Sequence, residues 1–149
     1  MAQLPRSLRS FVLATTVVGA AAFVRPEIAD AYESPVGVWK TIDDESGEAK
    51  SLVKIYEREG KLYGKVQKLF KNPDATCDEC EGEDYGKPIV GMTILWGLEE
   101  DDDEWSGGKI FDPKKGKTYN CKLWLDDGDL KVRGYVGPFH RTQTWHRVE

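Results

Sequence analysis

From residue 36 onward, apolar and polar side chains alternate or gather in short runs, and clusters of Gly, Asp, Asn and Pro separate them. A period of two without a sustained helical repeat predicts strands. Eight are read: Val36–Ile42, Ser51–Arg58, Lys61–Leu69, Pro88–Leu98, Trp105–Phe111, Lys117–Leu125, Leu130–Val136 and Thr142–Val148. Asp43-Asp44-Glu45-Ser46-Gly47, Glu59-Gly60, Asp112-Pro113-Lys114-Lys115-Gly116 and Asp126-Asp127-Gly128-Asp129 supply the turn chemistry between them. Phe70 to Lys87 is the one long connection.

The alternation also assigns faces. Tyr119, Cys121, Leu123 and Leu125 share one side of the sixth strand. In the seventh, Leu130, Val132 and Val136 point inward while Lys131 and Arg133 point outward. Short hairpins make strand order in space follow order in sequence. An open meander would leave two unpaired edges, so the expected fold is all-β, a single eight-stranded antiparallel up-and-down barrel. The bulky residues Trp39, Tyr56, Tyr119, Leu123 and Trp145 are numerous enough to fill such a barrel.

The first thirty residues follow another pattern. Arg6 and Arg9 precede an apolar run from Phe11 to Val24, and Ala29-Asp30-Ala31 closes it. Charge, apolar core and an A-x-A site in that order predict a secretory signal peptide over residues 1–31, with Ala29 and Ala31 marking cleavage and residues 32–149 forming the barrel domain. The run is about 14 residues, short of the roughly 20 a spanning helix needs, and no membrane span is expected in the mature chain. The protein is therefore expected in the periplasm or outside the cell. Losing Arg6, Arg9, Arg25, Glu27 and Asp30 takes the formal net charge from −5 to −6. Such a surface repels phosphate backbones, and no nucleic-acid partner is expected.

Two resemblances rest on specific residues. Gly37-Val38-Trp39 on the first strand, with Arg147 on the last, resembles the lipocalin and calycin signature. There a tryptophan closes one barrel end and an arginine lies across its ring. The resemblance implies that Gly37, Trp39 and Arg147 close the barrel, with guanidinium and indole joined by cation–π attraction. The mature chain also resembles a family of secreted bacterial proteins known as domain-of-unknown-function family 2147. The matching stretches include Gly60-Lys61-Leu62-Tyr63-Gly64-Lys65, Leu95-Trp96-Gly97-Leu98, Trp105-Ser106-Gly107-Gly108-Lys109-Ile110, Leu130-Lys131-Val132-Arg133-Gly134-Tyr135 and Thr144-Trp145. That match implies a lipocalin-like fold and an envelope or extracellular location, and supplies no activity.

The sharpest chemical motif is Cys77-Asp78-Glu79-Cys80. A redox thiolate needs a nearby cation or a helix N-terminus, whereas Asp74, Asp78, Glu79, Glu81, Glu83 and Asp84 surround this pair with negative charge. A structural Cys77–Cys80 disulfide is the favoured reading for an oxidising compartment, with a redox centre and half a metal site as the alternatives. Cys121 is left over, as a buried free thiol or a competitor for Cys77 or Cys80.

The run Glu99–Glu104 lacks the interleaved ligands of a calcium loop and reads as a solvated hairpin tip. Asp43-Asp44-Glu45 reads as a turn. His140 and His146 have no nucleophile placed beside them by a motif, and Gly107-Gly108 lacks the strand-to-helix setting of a phosphate loop. Lys65, Lys109, Arg133 and Arg141 read as solvated strand faces that could meet an anion.

No catalytic residues, metal ligands or cofactor are expected. The leading functional reading is non-enzymatic binding of a small apolar or amphipathic ligand in the barrel mouth. An alternative is a structural or protein-interaction module of the cell envelope, using outward aromatics such as Trp96, Trp124 and Tyr135. A thiol or metal enzyme built on the C-x-x-C pair comes last.

Overall fold

The computed structural model describes residues 34–148, so the signal-peptide segment and its Ala29 and Ala31 lie outside the described residues. Eight strands follow one another: β1 (Gly37–Ile42), β2 (Ala49–Arg58), β3 (Lys61–Leu69), β4 (Thr93–Asp101), β5 (Glu104–Asp112), β6 (Lys117–Asp126), β7 (Asp129–Val136) and β8 (Phe139–Arg147). Each pairs antiparallel with the next, and β8 returns to β1, giving a closed barrel of the expected order and closure.

Tight hairpins follow from turn chemistry. Glu59-Gly60 and Asp127-Gly128 both hold two successive residues at positive φ, the twist that lets two strands meet without splaying. The seam is short. Only Trp39 and Lys40 of β1 stand in register with Arg147 and His146, extended by a bond from the Val148 N–H to the Val38 carbonyl (2.8 Å). By contrast, β7 and β8 pair from Leu130 and Trp145 through to Val136 and Phe139.

Four sequence assignments shift, one of them the eighth strand, which starts at Phe139 rather than Thr142. The fourth strand starts at Thr93 rather than Pro88, because 88–92 folds back. Pro88 bridges to Thr76, the Ile89 N–H bonds the Ala75 carbonyl, and Gly91 turns the chain at φ 94°. Tyr56 faces outward, where it stacks on Tyr63 at 5.8 Å, since inward positions of β2 fall at Ser51, Val53 and Ile55. Val136, read as inward, stands at the barrel rim and is 56% exposed.

The core runs through the lower barrel. Trp39, Val53, Ile55, Leu95, Leu98, Leu123 and Leu130 are fully buried there, each from the inward face of its strand. Higher up, Val66, Ile94, Val132 and Trp145 belong to the same cluster but also border open space. That boundary positions the site.

Candidate functional site

A cavity of about 390 Å³ opens where the β1–β2, β3–β4, β5–β6 and β7–β8 links gather. Val66, Ile94, Val132 and Trp145 border it from the packed core, and Val136 and Phe139 stand exposed at the rim. Gly134 matters by what it lacks. A Cβ there would touch the Tyr119 and Ile110 side chains at 3.5 and 3.8 Å, so the missing side chain adds to the hollow. The bulky inward residues therefore fill the lower barrel and leave the upper part open. Volumes of this order are typical of small-molecule pockets.

The floor is apolar, whereas polar and charged side chains make up much of the lining toward the mouth. Thr41 and Ser51 are buried and satisfy each other across β1 and β2, hydroxyl to hydroxyl at 2.7 Å. On β8, Trp145 donates its indole N–H to the Gln143 side-chain oxygen (3.2 Å), and the Gln143 amide donates to the Asp44 carboxylate (2.6 Å). The Arg141 guanidinium approaches the same Asp44 oxygen at 3.6 Å. Asp44 thus reaches from the β1–β2 turn over to the neighbouring strand β8 at the edge of the mouth. Neighbouring Asp43 accepts the N–H groups of Ser46 (2.9 Å) and Glu45 (3.0 Å), and these bonds, that from Ser46 first, hold its carboxyl below the usual value.

The long connection flanks this end. Cys77 and Cys80 are joined by a disulfide, with Cys77 fully buried and its Sγ 3.8 Å from the Pro113 carbonyl oxygen. The loop lies tightly on the β5–β6 turn, for a Cβ on Gly116 would come within 2.1 Å of the Glu79 carbonyl oxygen. Ile89, Pro113 and Lys115 then carry this contact to the cavity wall. Cys121 is a free, buried thiol that burial pushes up to about 12, and it lies outside the cavity lining.

The other sequence candidates are scattered. Trp39 and Arg147 meet at the opposite, closed end. The guanidinium lies 4.2 Å from the indole centroid and donates to the carbonyls of Ser34 (2.6 Å) and Val36 (3.3 Å), while the Trp39 N–H donates to Pro35 (2.8 Å). Glu99–Glu104 spans the β4–β5 hairpin at that same end, with Glu99 paired to Lys61 at 3.0 Å. His146 faces outward onto Asp129 (2.9 Å), while His140 borders the mouth. Among the described residues, no group of three or more His, Cys, Asp or Glu is gathered in a way that could hold a metal.

Of the four basic candidates, Arg141 alone lines the cavity. Arg133 lies on the outer wall over Trp124 at 4.9 Å, with Lys122 also over that ring at 5.5 Å. Lys109 bonds outer-wall Asn120. Trp96, Trp124 and Tyr135 are half-buried, and the Tyr135 ring meets His140 edge-on. Asp44 and Gln143 were not singled out as functional from sequence. The available signal was alternation: Gln143 and Arg141 lie two and four residues before Trp145, on its face of the strand.

A family model described as "Uncharacterized protein conserved in bacteria (DUF2147)" matches residues 37–147. The chain belongs to this family. The barrel is also similar to a solved structure titled "Protein HP1028 from the human pathogen Helicobacter pylori belongs to the lipocalin family". That likeness has a TM-score of 0.70 and 21% identity, and it covers 78% of this chain and 84% of the other. At that identity the shared property is the fold, and DUF2147 here has a lipocalin-like barrel. No curated protein matches the chain in sequence.

Proposed function

We propose that this DUF2147 protein is an exported, non-enzymatic binder of a small apolar or amphipathic molecule, held in the open end of its barrel. The observation that carries the reading is the cavity of about 390 Å³, with an apolar floor of Val66, Ile94, Val132 and Trp145 below a polar and charged mouth. An apolar hollow with few convergent polar groups is the usual form of a ligand site. Export through the signal peptide at residues 1–31 fits the presence of the Cys77–Cys80 disulfide, since disulfides persist in oxidising compartments. On the outer wall the Trp124 ring is covered by Lys122 and Arg133, which favours the cavity over an aromatic docking patch.

Native mass spectrometry of protein purified from the producing cell tests the reading. A small molecule should accompany the wild-type chain and be lost from Gly134→Leu, which extends a side chain into the hollow beside Tyr119 and Ile110. A wild-type protein that neither carries a molecule nor takes up an apolar fluorescent probe, or a Gly134→Leu variant that binds as wild type does, overturns it.

A further inference from the structure

The mouth of the cavity holds a carboxylate already, and it is the protein's own. Asp44 sits where the Gln143 amide and the Arg141 guanidinium converge, at 2.6 and 3.6 Å. The arrangement is fixed from below. The buried Trp145 indole can only donate, so its bond to the Gln143 oxygen turns the Gln143 NH₂ toward the mouth. Arg141 stands opposite Gly134 in the β7–β8 register, so no side chain separates this donor pair from the apolar hollow beneath. A donor amide and a guanidinium above an apolar shaft form a head-and-tail site.

We propose that the cavity takes a single-tailed amphiphile with a carboxylate head, which replaces the Asp44 carboxylate on Arg141 and Gln143 while its tail enters toward Val132, Ile94 and Trp145. This rests on the ligand-binding reading above and adds the chemical class. Rim charge is balanced, with Asp43, Asp44, Glu45 and Asp112 matched by Lys50, Lys114, Lys115 and Arg141. Asp43 is engaged by its own turn, Asp112 accepts the Lys114 N–H (3.0 Å), and Glu45 faces the Lys114 ammonium (3.8 Å). Lys50 and Lys115 line the mouth and, among the described residues, hold no ion pair, so positive charge is left to meet an incoming anion. An ammonium head would instead be set against Arg141.

Release of Asp44 does not unravel the β1–β2 turn. The Gly47 N–H bonds the Asp43 carbonyl and the Asp43 N–H bonds the Glu48 carbonyl, both at 2.8 Å, so the base of the turn closes on itself. Only the tip contacts of Asp44, and of Glu45 with Lys114, have to exchange.

Isothermal titration of the purified protein with decanoate, decanol and decylamine at neutral pH tests the proposal. Decanoate should bind about tenfold more tightly than decanol, the order expected for hydrogen bonds to a charged head, with decylamine weakest. Arg141→Gln should bring decanoate to about the level of decanol measured on the same variant. Asp44→Ala should tighten decanoate by about threefold, the scale of an exposed ion pair, because the competing carboxylate is gone. Both side chains lie at the surface, and a thermal melt checks that each variant folds. Equal binding of decanoate and decanol, or a ratio unmoved by Arg141→Gln and Asp44→Ala, overturns the carboxylate head and leaves the ligand-binding reading standing. Failure of all three probes to bind also overturns the carboxylate head, while the ligand-binding reading stands or falls on the native mass spectrometry and apolar-probe uptake above.

Discussion

Replacing Arg147 by Met tests whether the barrel seam depends on a side chain as well as on its short ladder. Met keeps apolar cover over Trp39 but removes the charge and every donor. The cation–π contact at 4.2 Å over a fully buried indole contributes about 1 kcal/mol. The charge-assisted bonds to the Ser34 and Val36 carbonyls, at 2.6 and 3.3 Å, contribute about 1 kcal/mol each at a partly exposed site. Arg147→Met should therefore lose about 3 kcal/mol, which for a domain of this size lowers Tm by about 10–15 °C. Arg147→Lys should recover only part of that, because an ammonium cannot span two carbonyls while lying flat on the ring. Urea unfolding followed by tryptophan fluorescence gives the free energy, and an unchanged m-value would show that both states keep their compactness. A loss below about 0.5 kcal/mol for Arg147→Met, the range of ordinary surface substitutions, refutes the account and leaves closure to the backbone alone.

Three further outcomes can be measured on the same protein. Gly108→Ala sets a Cβ 2.5 Å from the Trp96 carbonyl oxygen and 2.7 Å from the Leu98 nitrogen, so backbone must move and calorimetry should show a loss of about 2 kcal/mol; Gly134→Ala meets only ordinary contacts and should stay within about 0.5 kcal/mol. The Cys121 thiol, pushed up to about 12 by burial, should resist a thiol reagent at mildly alkaline pH in the native state and react once the chain is unfolded; prompt native reaction would contradict its burial. The Asp43 carboxyl is held below its ordinary value of 3.8, so its support of the β1–β2 turn is present above that value and fades as pH falls through the lower folded value; a drop in the protection of the Ser46 and Glu45 amides, relative to their intrinsic exchange at each pH, is the readout, and protection that does not respond contradicts it.

The barrel was legible because its rules are local. Period-two alternation, Gly and Asp turns and short links specify antiparallel neighbours, and the penalty on unpaired edges then demands closure. Where local rules weakened, the reading slipped. Pro88 and Ile89 look like the start of a strand, yet a bonded pair with Thr76 and Ala75 competes for that backbone and wins. Tyr56 was placed inside on bulk alone, although Val53 and Ile55 fix the inward phase of β2.

By itself the sequence determined the strands, their order and the turn chemistry, and the lipocalin resemblance named the two residues that meet at the seam. Only the tertiary structure decided that the lower barrel is filled while the upper part stays open. Which inward side chains share a level depends on strand stagger, and alternation does not encode stagger. The fold likewise brought Asp44 to Arg141 and Gln143, nearly a hundred residues along the chain, because closing the barrel sets the β1–β2 turn beside β8. Pattern reports which face a residue takes; proximity at the edge of the mouth is a property of the closed sheet.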